Sequence, residues 1–133
     1  MEITMISYNT KTKEFQYASG GGEFIVCEND TITRLHGNTY PVGGWQIEKN
    51  RSFDTFKLTL KEDSKLYFFS DGIKHQFDAD NKKKFGRRRL NNIIKHYHSY
   101  SMENQSELLS FVFDTWKDGA KQTDDITLIG LQF

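Results

Sequence analysis

Two short segments carry residue types that could do chemistry. Ser70-Asp71-Gly72 closes an apolar run, and Asp124-Asp125-Ile126-Thr127 opens another. Each puts a carboxylate where a strand meets a loop, and a strand end is a rigid mount for a functional side chain. Gly72 lets the chain turn away so that Asp71 faces solvent or a metal. If the two strands are neighbours, Asp71, Asp124 and Asp125 converge as three carboxylates with no Lys or Arg directly adjacent in sequence. Such a group repels itself unless a proton or a cation neutralises it. Hard divalent cations such as Mg²⁺ and Mn²⁺ prefer carboxylate oxygens. Spacing alone leaves a plainer alternative open, in which Asp-Gly is a turn and Asp124-Asp125 merely follows a helix.

Other chemistry is harder to build. No nucleophile-base pair is evident. His36, His75, His96 and His98 lack metal-ligand spacing, and the i, i+2 pair His96 and His98 does not share a helix face. The basic run from Lys82 to Arg89 invites a polyanion reading through counterion release. A charge run at a helix start is more simply a solvated face; the alternative is that Lys84, Arg87 and Arg88 dock a phosphorylated partner, and no nucleic-acid contact is expected.

The elements that must position these residues follow from the apolar pattern. From Glu2 to about Leu60, short β-type runs alternate with turn signals: Ile3 to Tyr8, Phe15 to Ala18, Phe24 to Cys27, Thr31 to Leu35 and Phe53 to Leu60. This predicts an antiparallel meander. Leu66-Tyr67-Phe68-Phe69 is a continuous apolar run, as a central strand covered on both faces requires. Leu90, Ile93, Ile94 and Tyr97 then fall at helical spacing. A second helix carries Leu108, Leu109, Val112, Phe113 and Trp116, with Asn104 as N-cap, Glu107 at N3 and Gly119 as the stop. The chain closes on a strand from Ile126 to Phe133. Strands, then two helices, then a strand predict an α+β domain with helices packed on a sheet.

Composition bounds the reading. At 133 residues, 36% hydrophobic and 14% aromatic, the chain fits one domain with a sizeable core. Eighteen basic residues balance eighteen acidic ones, so no overall field draws it to nucleic acid or an anionic membrane. The one cysteine, Cys27, sits in an apolar run and is read as a buried small hydrophobe of a cytoplasmic protein. No stretch approaches the ~20 apolar residues of a membrane span, although a longer parent chain could carry an anchor.

Taken in order, Leu66 to Ile73 (LYFFSDGI), Phe85-Gly86 with Leu90 four residues on, and Asp124 to Leu128 (DDITL) resemble the C-terminal signature of the metal-dependent protein phosphatase superfamily, in its stage II sporulation protein E branch. Phe15 to Gly20 and Pro41-Val42-Gly43 match more loosely. The resemblance implies a four-layer sandwich, two largely antiparallel sheets flanked by helices, within a single phosphatase-like domain over residues 1–133. It also implies a centre of two Mn²⁺ or Mg²⁺ ions. Asp71 and Asp124 would be ligands, Asp125 a weaker or indirect one, and Ser70, Gly72 and Thr127 would shape the loops around them. The implied activity is removal of phosphate from Ser or Thr of a partner such as an anti-sigma-factor antagonist in bacterial signalling. A sensor domain would precede it on the parent chain. The family's Gly-Asp-x-x-Gly-His-Gly block, which supplies the aspartate shared by both ions, has no counterpart in residues 1–133, so the N-terminal strands and helices of a whole domain are expected upstream. Gly20-Gly21-Gly22-Glu23 also lacks the family's histidine and following proline. A non-catalytic, partner-binding module with a truncated phosphatase fold is the second reading.

Overall fold

The computed structural model describes residues 1–46 and 50–133. Among the described residues ten elements follow one another: β1 (Ile3–Tyr8), β2 (Glu14–Gly20), β3 (Glu23–Glu28), β4 (Thr31–His36), β5 (Phe56–Thr59), β6 (Lys65–Phe69), α1 (Gly72–His75), α2 (Gly86–Tyr97), α3 (Met102–Lys117) and β7 (Leu128–Gln132). The strands form two antiparallel sheets, one ordered β1-β2-β5 and the other β4-β3-β6-β7.

Strand periodicity explains the layering. Successive side chains point to opposite faces, so Phe24 and Val26 of β3 and Leu66 of β6 join Phe15 and Tyr17 of β2 in a core between the sheets. Phe24 stacks on Phe68 at 4.9 Å between ring centroids and meets Tyr17 edge-on at 5.0 Å. The alternate residues Ile25, Cys27 and Tyr67 face the helices, where they pack with Ile73, Phe85, Leu90, Ile93, Ile94 and Leu109. Strand β6 is therefore central and covered on both faces, as expected. Burial pushes the Cys27 thiol up from its ordinary range, in keeping with an inert core residue. The result is three of the four expected layers: sheet, sheet and helices. Met5, on the outer face of the three-stranded sheet, is 66% exposed.

Three sequence expectations are corrected. The meander is split, because the chain leaves one sheet after β2 and enters the other at β3. Gly21, at φ +75°, makes that crossover. The strand expected from Phe53 begins only at Phe56, because Asp54 is diverted to Asn38: its N–H donates to Asn38 Oδ1 at 2.9 Å and its carboxylate accepts Asn38 Nδ2 at 2.8 Å. Helix α3 starts earlier than Asn104. Ser101 is the N-cap, its hydroxyl accepting the Asn104 N–H at 3.2 Å, and Glu103 stands in the first turn where the helix dipole favours it.

Helix α3 is tied to the sheet by polar groups as well as by apolar contact. Lys65 is only 6% exposed, and its ammonium donates to the carbonyls of His98 and Tyr100 in the α2–α3 turn, the latter at 2.6 Å. Gln105 Nε2 donates to the same two carbonyls, and its Oε1 accepts the Tyr67 hydroxyl at 2.6 Å. Hydrogen bonds from a charged donor are worth ~1.5–3 kcal/mol, and carbonyls that lose one in a dry site stay costly. Lys65→Met keeps the aliphatic stem but removes the ammonium. It should lower the unfolding free energy by about 1.5–3 kcal/mol in urea titrations, with faster amide exchange across the first turn of α3. An unchanged midpoint would show that Gln105 alone holds the turn.

Candidate metal centre

The two carboxylate-bearing segments meet. β6 and β7 pair antiparallel, with Phe69 opposite Leu128, so Ser70-Asp71 and Asp125-Ile126 leave neighbouring strand ends. Ser70 fastens them: its N–H donates to the Thr127 carbonyl at 3.0 Å, its hydroxyl donates to the Asp125 carbonyl at 2.9 Å, and that hydroxyl oxygen accepts the Thr127 N–H at 2.9 Å. Gly72 lets the segments close up, since a Cβ there would run into the Asp125 carbonyl oxygen. Both residues, expected to shape the loops, thus set the distance between them.

Asp71 caps the single turn α1 without a side-chain cap bond, leaving its half-exposed carboxylate turned to His75 Nδ1 at 3.7 Å. Asp124 and Asp125 are exposed, and Asp124 Oδ1 accepts the Asp125 N–H at 2.8 Å. Gln76, fully buried at the end of α1, donates to the Lys121 carbonyl at 3.2 Å and so anchors the approach to Asp124. Among the described residues, however, no three His, Cys, Asp or Glu side chains gather into a group that could hold a metal ion. The expected cluster of three carboxylates is thus not gathered among the described residues, with Asp124 Oδ1 turned to the N–H of Asp125 in its own loop. The donors fit Mg²⁺ or Mn²⁺ in kind, being exposed oxygens without Lys or Arg partners among the described residues. Their number falls short of a closed shell.

The basic run divides. Arg87 reaches Glu23 at 3.2 Å. Lys84 lies over the Phe77 ring at 5.5 Å, and Arg88 is exposed. Arg89 is not solvated as a helix-start charge would be: it covers the Trp116 ring at 3.4 Å and binds the Phe85 carbonyl. In the sequence His75 was weighed only against the other histidines, although its i, i+4 spacing from Asp71 was a usable signal; the Glu23–Lys74 pair spans 51 residues and leaves no local trace, whereas Arg34 lies only 11 residues from Glu23.

The whole chain, residues 1–133, matches the family model described as stage II sporulation protein E (SpoIIE). The chain belongs to the SpoIIE family. Solved structures agree on the fold. The SiaA-PP2C domain of Pseudomonas aeruginosa superposes with a TM-score of 0.88 at 16% identity, over 99% of this chain and 51% of that one. The phosphatase domain of the cell-fate determinant SpoIIE from Bacillus subtilis, presoaked with Mn, gives 0.70 at 12% identity, covering 98% and 56%. RsbX in complex with magnesium gives 0.62 at 20% identity, covering 98% and 55%. The chain thus spans about half the length of these solved structures. A search of curated proteins by sequence matches none. No described helix of this SpoIIE-family chain is long and apolar enough to cross a membrane.

Because Gly72 is the point of closest approach, Gly72→Ala should force the Asp125 backbone away. Overpacking of this kind costs ~1–3 kcal/mol. The variant should lose that much stability in denaturant titrations and shift the backbone resonances of Asp124 to Thr127. Unperturbed resonances in that segment would mean that the two loops are not in contact.

Proposed function

We propose that this chain is the part of a SpoIIE-type serine/threonine phosphoprotein phosphatase that carries Asp71, Asp124 and Asp125 to a two-ion Mn²⁺ or Mg²⁺ centre. The observation that carries the reading is the Ser70 clasp, which ties the segments bearing Asp71 and the Asp124-Asp125 pair together at the paired ends of the central strand β6 and the edge strand β7 of a SpoIIE-family fold. Divalent ions at such a centre lower the pKa of a bound water and offset charge on the phosphoryl oxygens. In this chain, Asp71 and Asp124 would hold the ions, Asp125 would ligate weakly or through water, and Ser70, Gly72 and Thr127 would fix the spacing. The magnesium and manganese named with two of the similar structures support a divalent cation here. The substrate would be a phosphorylated partner such as an anti-sigma-factor antagonist of bacterial signalling, with Lys84, Arg87 and Arg88 near its docking path and a sensor domain upstream on the parent chain. The place of action would be the cytoplasm.

Because three donors do not gather among the described residues, the ligand set of this chain is partial. The same observation favours the second reading, a partner-binding module that holds no ion pair of its own. With millimolar Mn²⁺, the 133-residue chain alone should hydrolyse p-nitrophenyl phosphate weakly or not at all. Fused to the part of the SiaA domain that it does not match, it should gain Mn²⁺-dependent turnover. Asp71→Asn or Asp124→Asn should then lower that turnover by orders of magnitude with little change in melting temperature, since losing one of several adjacent charges relieves repulsion. A folded fusion without turnover would favour the binding-module reading. Robust turnover by the chain alone, abolished by the same substitutions, would show that its own ligands suffice.

A further inference from the structure

Glu23, at the start of β3, meets three cations. Its Oε1 accepts Lys74 Nζ at 2.8 Å and faces Arg87 Nη2 at 3.2 Å, while its Oε2 faces Arg34 Nη1 at 3.1 Å. The Glu23, Lys74 and Arg34 side chains are only 19%, 14% and 22% exposed. Burial pushes the Glu23 carboxyl up, but the Lys74 hydrogen bond and the three positive charges hold it, on balance, below the usual carboxylate range. One negative charge therefore stands against three positive ones. Like charges in a partly desolvated site repel unless a counterion shares it, and the economical neutraliser here is an anion.

The donors for an anion are present. An ammonium has three N–H groups and a guanidinium five, so single bonds to Glu23 leave Lys74 and Arg87 with capacity for another acceptor. Arg34 is more fully used, since Nη2 donates to Asn91 Oδ1 at 2.6 Å. Lys74 and Arg87 both line the cleft of ≈ 1190 Å³ that also exposes Ser70, Asp71 and His75. Lys74 stands one helical turn from Asp71, its N–H donating to the Asp71 carbonyl at 2.9 Å. Residues three apart on a helix have Cβ atoms ~5–6 Å apart. Asp71, Lys74 and Arg87 all line this one cleft, so an anion held by the two cations would share it with the Asp71 carboxylate.

We infer that Lys74 and Arg87, fixed by Glu23, form the subsite that receives the phosphoryl oxygens of a phosphoserine or phosphothreonine side chain next to Asp71. This rests on the phosphatase reading for the identity of the anion, and on the cation cluster alone for its existence. Arginine and lysine supply the charge-assisted hydrogen bonds that phosphate oxygens accept best.

The test is titration of the metal-free 133-residue chain, in EDTA, with a phosphoserine peptide and its unphosphorylated form, followed by amide chemical shifts. Binding of the phosphorylated peptide alone should move the resonances of Glu23, Lys74 and Arg87. Arg87→Gln and Lys74→Gln should each weaken it about tenfold, the loss of one charge-assisted hydrogen bond. Lys82→Gln plus Lys83→Gln, an equal or larger loss of charge outside the cleft, should leave affinity unchanged. Lys74 is largely buried and its substitution could unfold the chain, so the exposed Arg87 carries the decision. No phosphate-dependent shifts, affinity unmoved by Arg87→Gln, or equal weakening by the Lys82/Lys83 pair would each overturn the assignment. Without metal in the tube, such a failure leaves the metal-centre reading standing. Conversely, an inactive fusion protein whose Arg87-dependent phosphopeptide binding is intact would remove the hydrolase and keep the subsite.

Discussion

The hydroxyl of Ser70 donates to one backbone segment and accepts from the same segment two residues on, and the arrangement of the candidate site depends on this. Its bonds to the Asp125 carbonyl and the Thr127 N–H extend the β6–β7 ladder by one rung beyond the last paired residues. The strands it extends cannot drift, because Leu66 is locked between the sheets and Tyr67 beneath the helices. Rigidity thus passes from two cores into two loops of opposite chain direction. Asp71 and Asp124 are exposed, yet the segments that carry them are tied to each other by Ser70, which is what a site of fixed geometry needs.

Charge is distributed across the cleft in a way that composition conceals. The chain has zero formal net charge, but Asp71 lines the cleft together with Lys74 and Arg87, while Asp124 and Asp125 stand exposed beside the neighbouring strand end. The carboxylates call for a cation and the Lys74 and Arg87 pair for an anion. On the proposed reading, a phosphoester bound to a divalent ion would answer both needs.

Much of the fold was legible because Phe24 to Cys27 and Leu66 to Phe69 are continuous apolar runs, as strands covered on both faces require, and because Phe15 and Tyr17 of β2 alternate with polar residues. The helices were legible from Leu90, Ile93, Ile94 and Leu109. Sheet membership was not: two hairpins with the same alternation look identical whether they share a sheet or face each other, and only Gly21, in a left-handed conformation, marks the change. The α3 cap was misread because Ser101 and Asn104 are both good caps, and tertiary ties from Lys65 and Gln105 to the turn decide between them. In the site, the mounting of Asp71 and Asp124 was legible from the motif ends. Their separation was not, since it hangs on where each carboxylate turns within its loop. Glu23 and Lys74 were invisible for a plainer reason: an ion pair between residues 51 apart in the chain has no periodicity.

The claim that Asp71 and the Asp124-Asp125 pair are two halves of one cation site is tested most directly by paramagnetic relaxation. Mn²⁺ added in small increments to the ¹⁵N-labelled chain should broaden the amides of Asp71 and Gly72 and those of Asp124 to Thr127 together, with one concentration dependence, and excess Mg²⁺ should restore both. Broadening of one segment without the other, or of Glu103 and Glu107 on α3 in preference to either, would contradict the account.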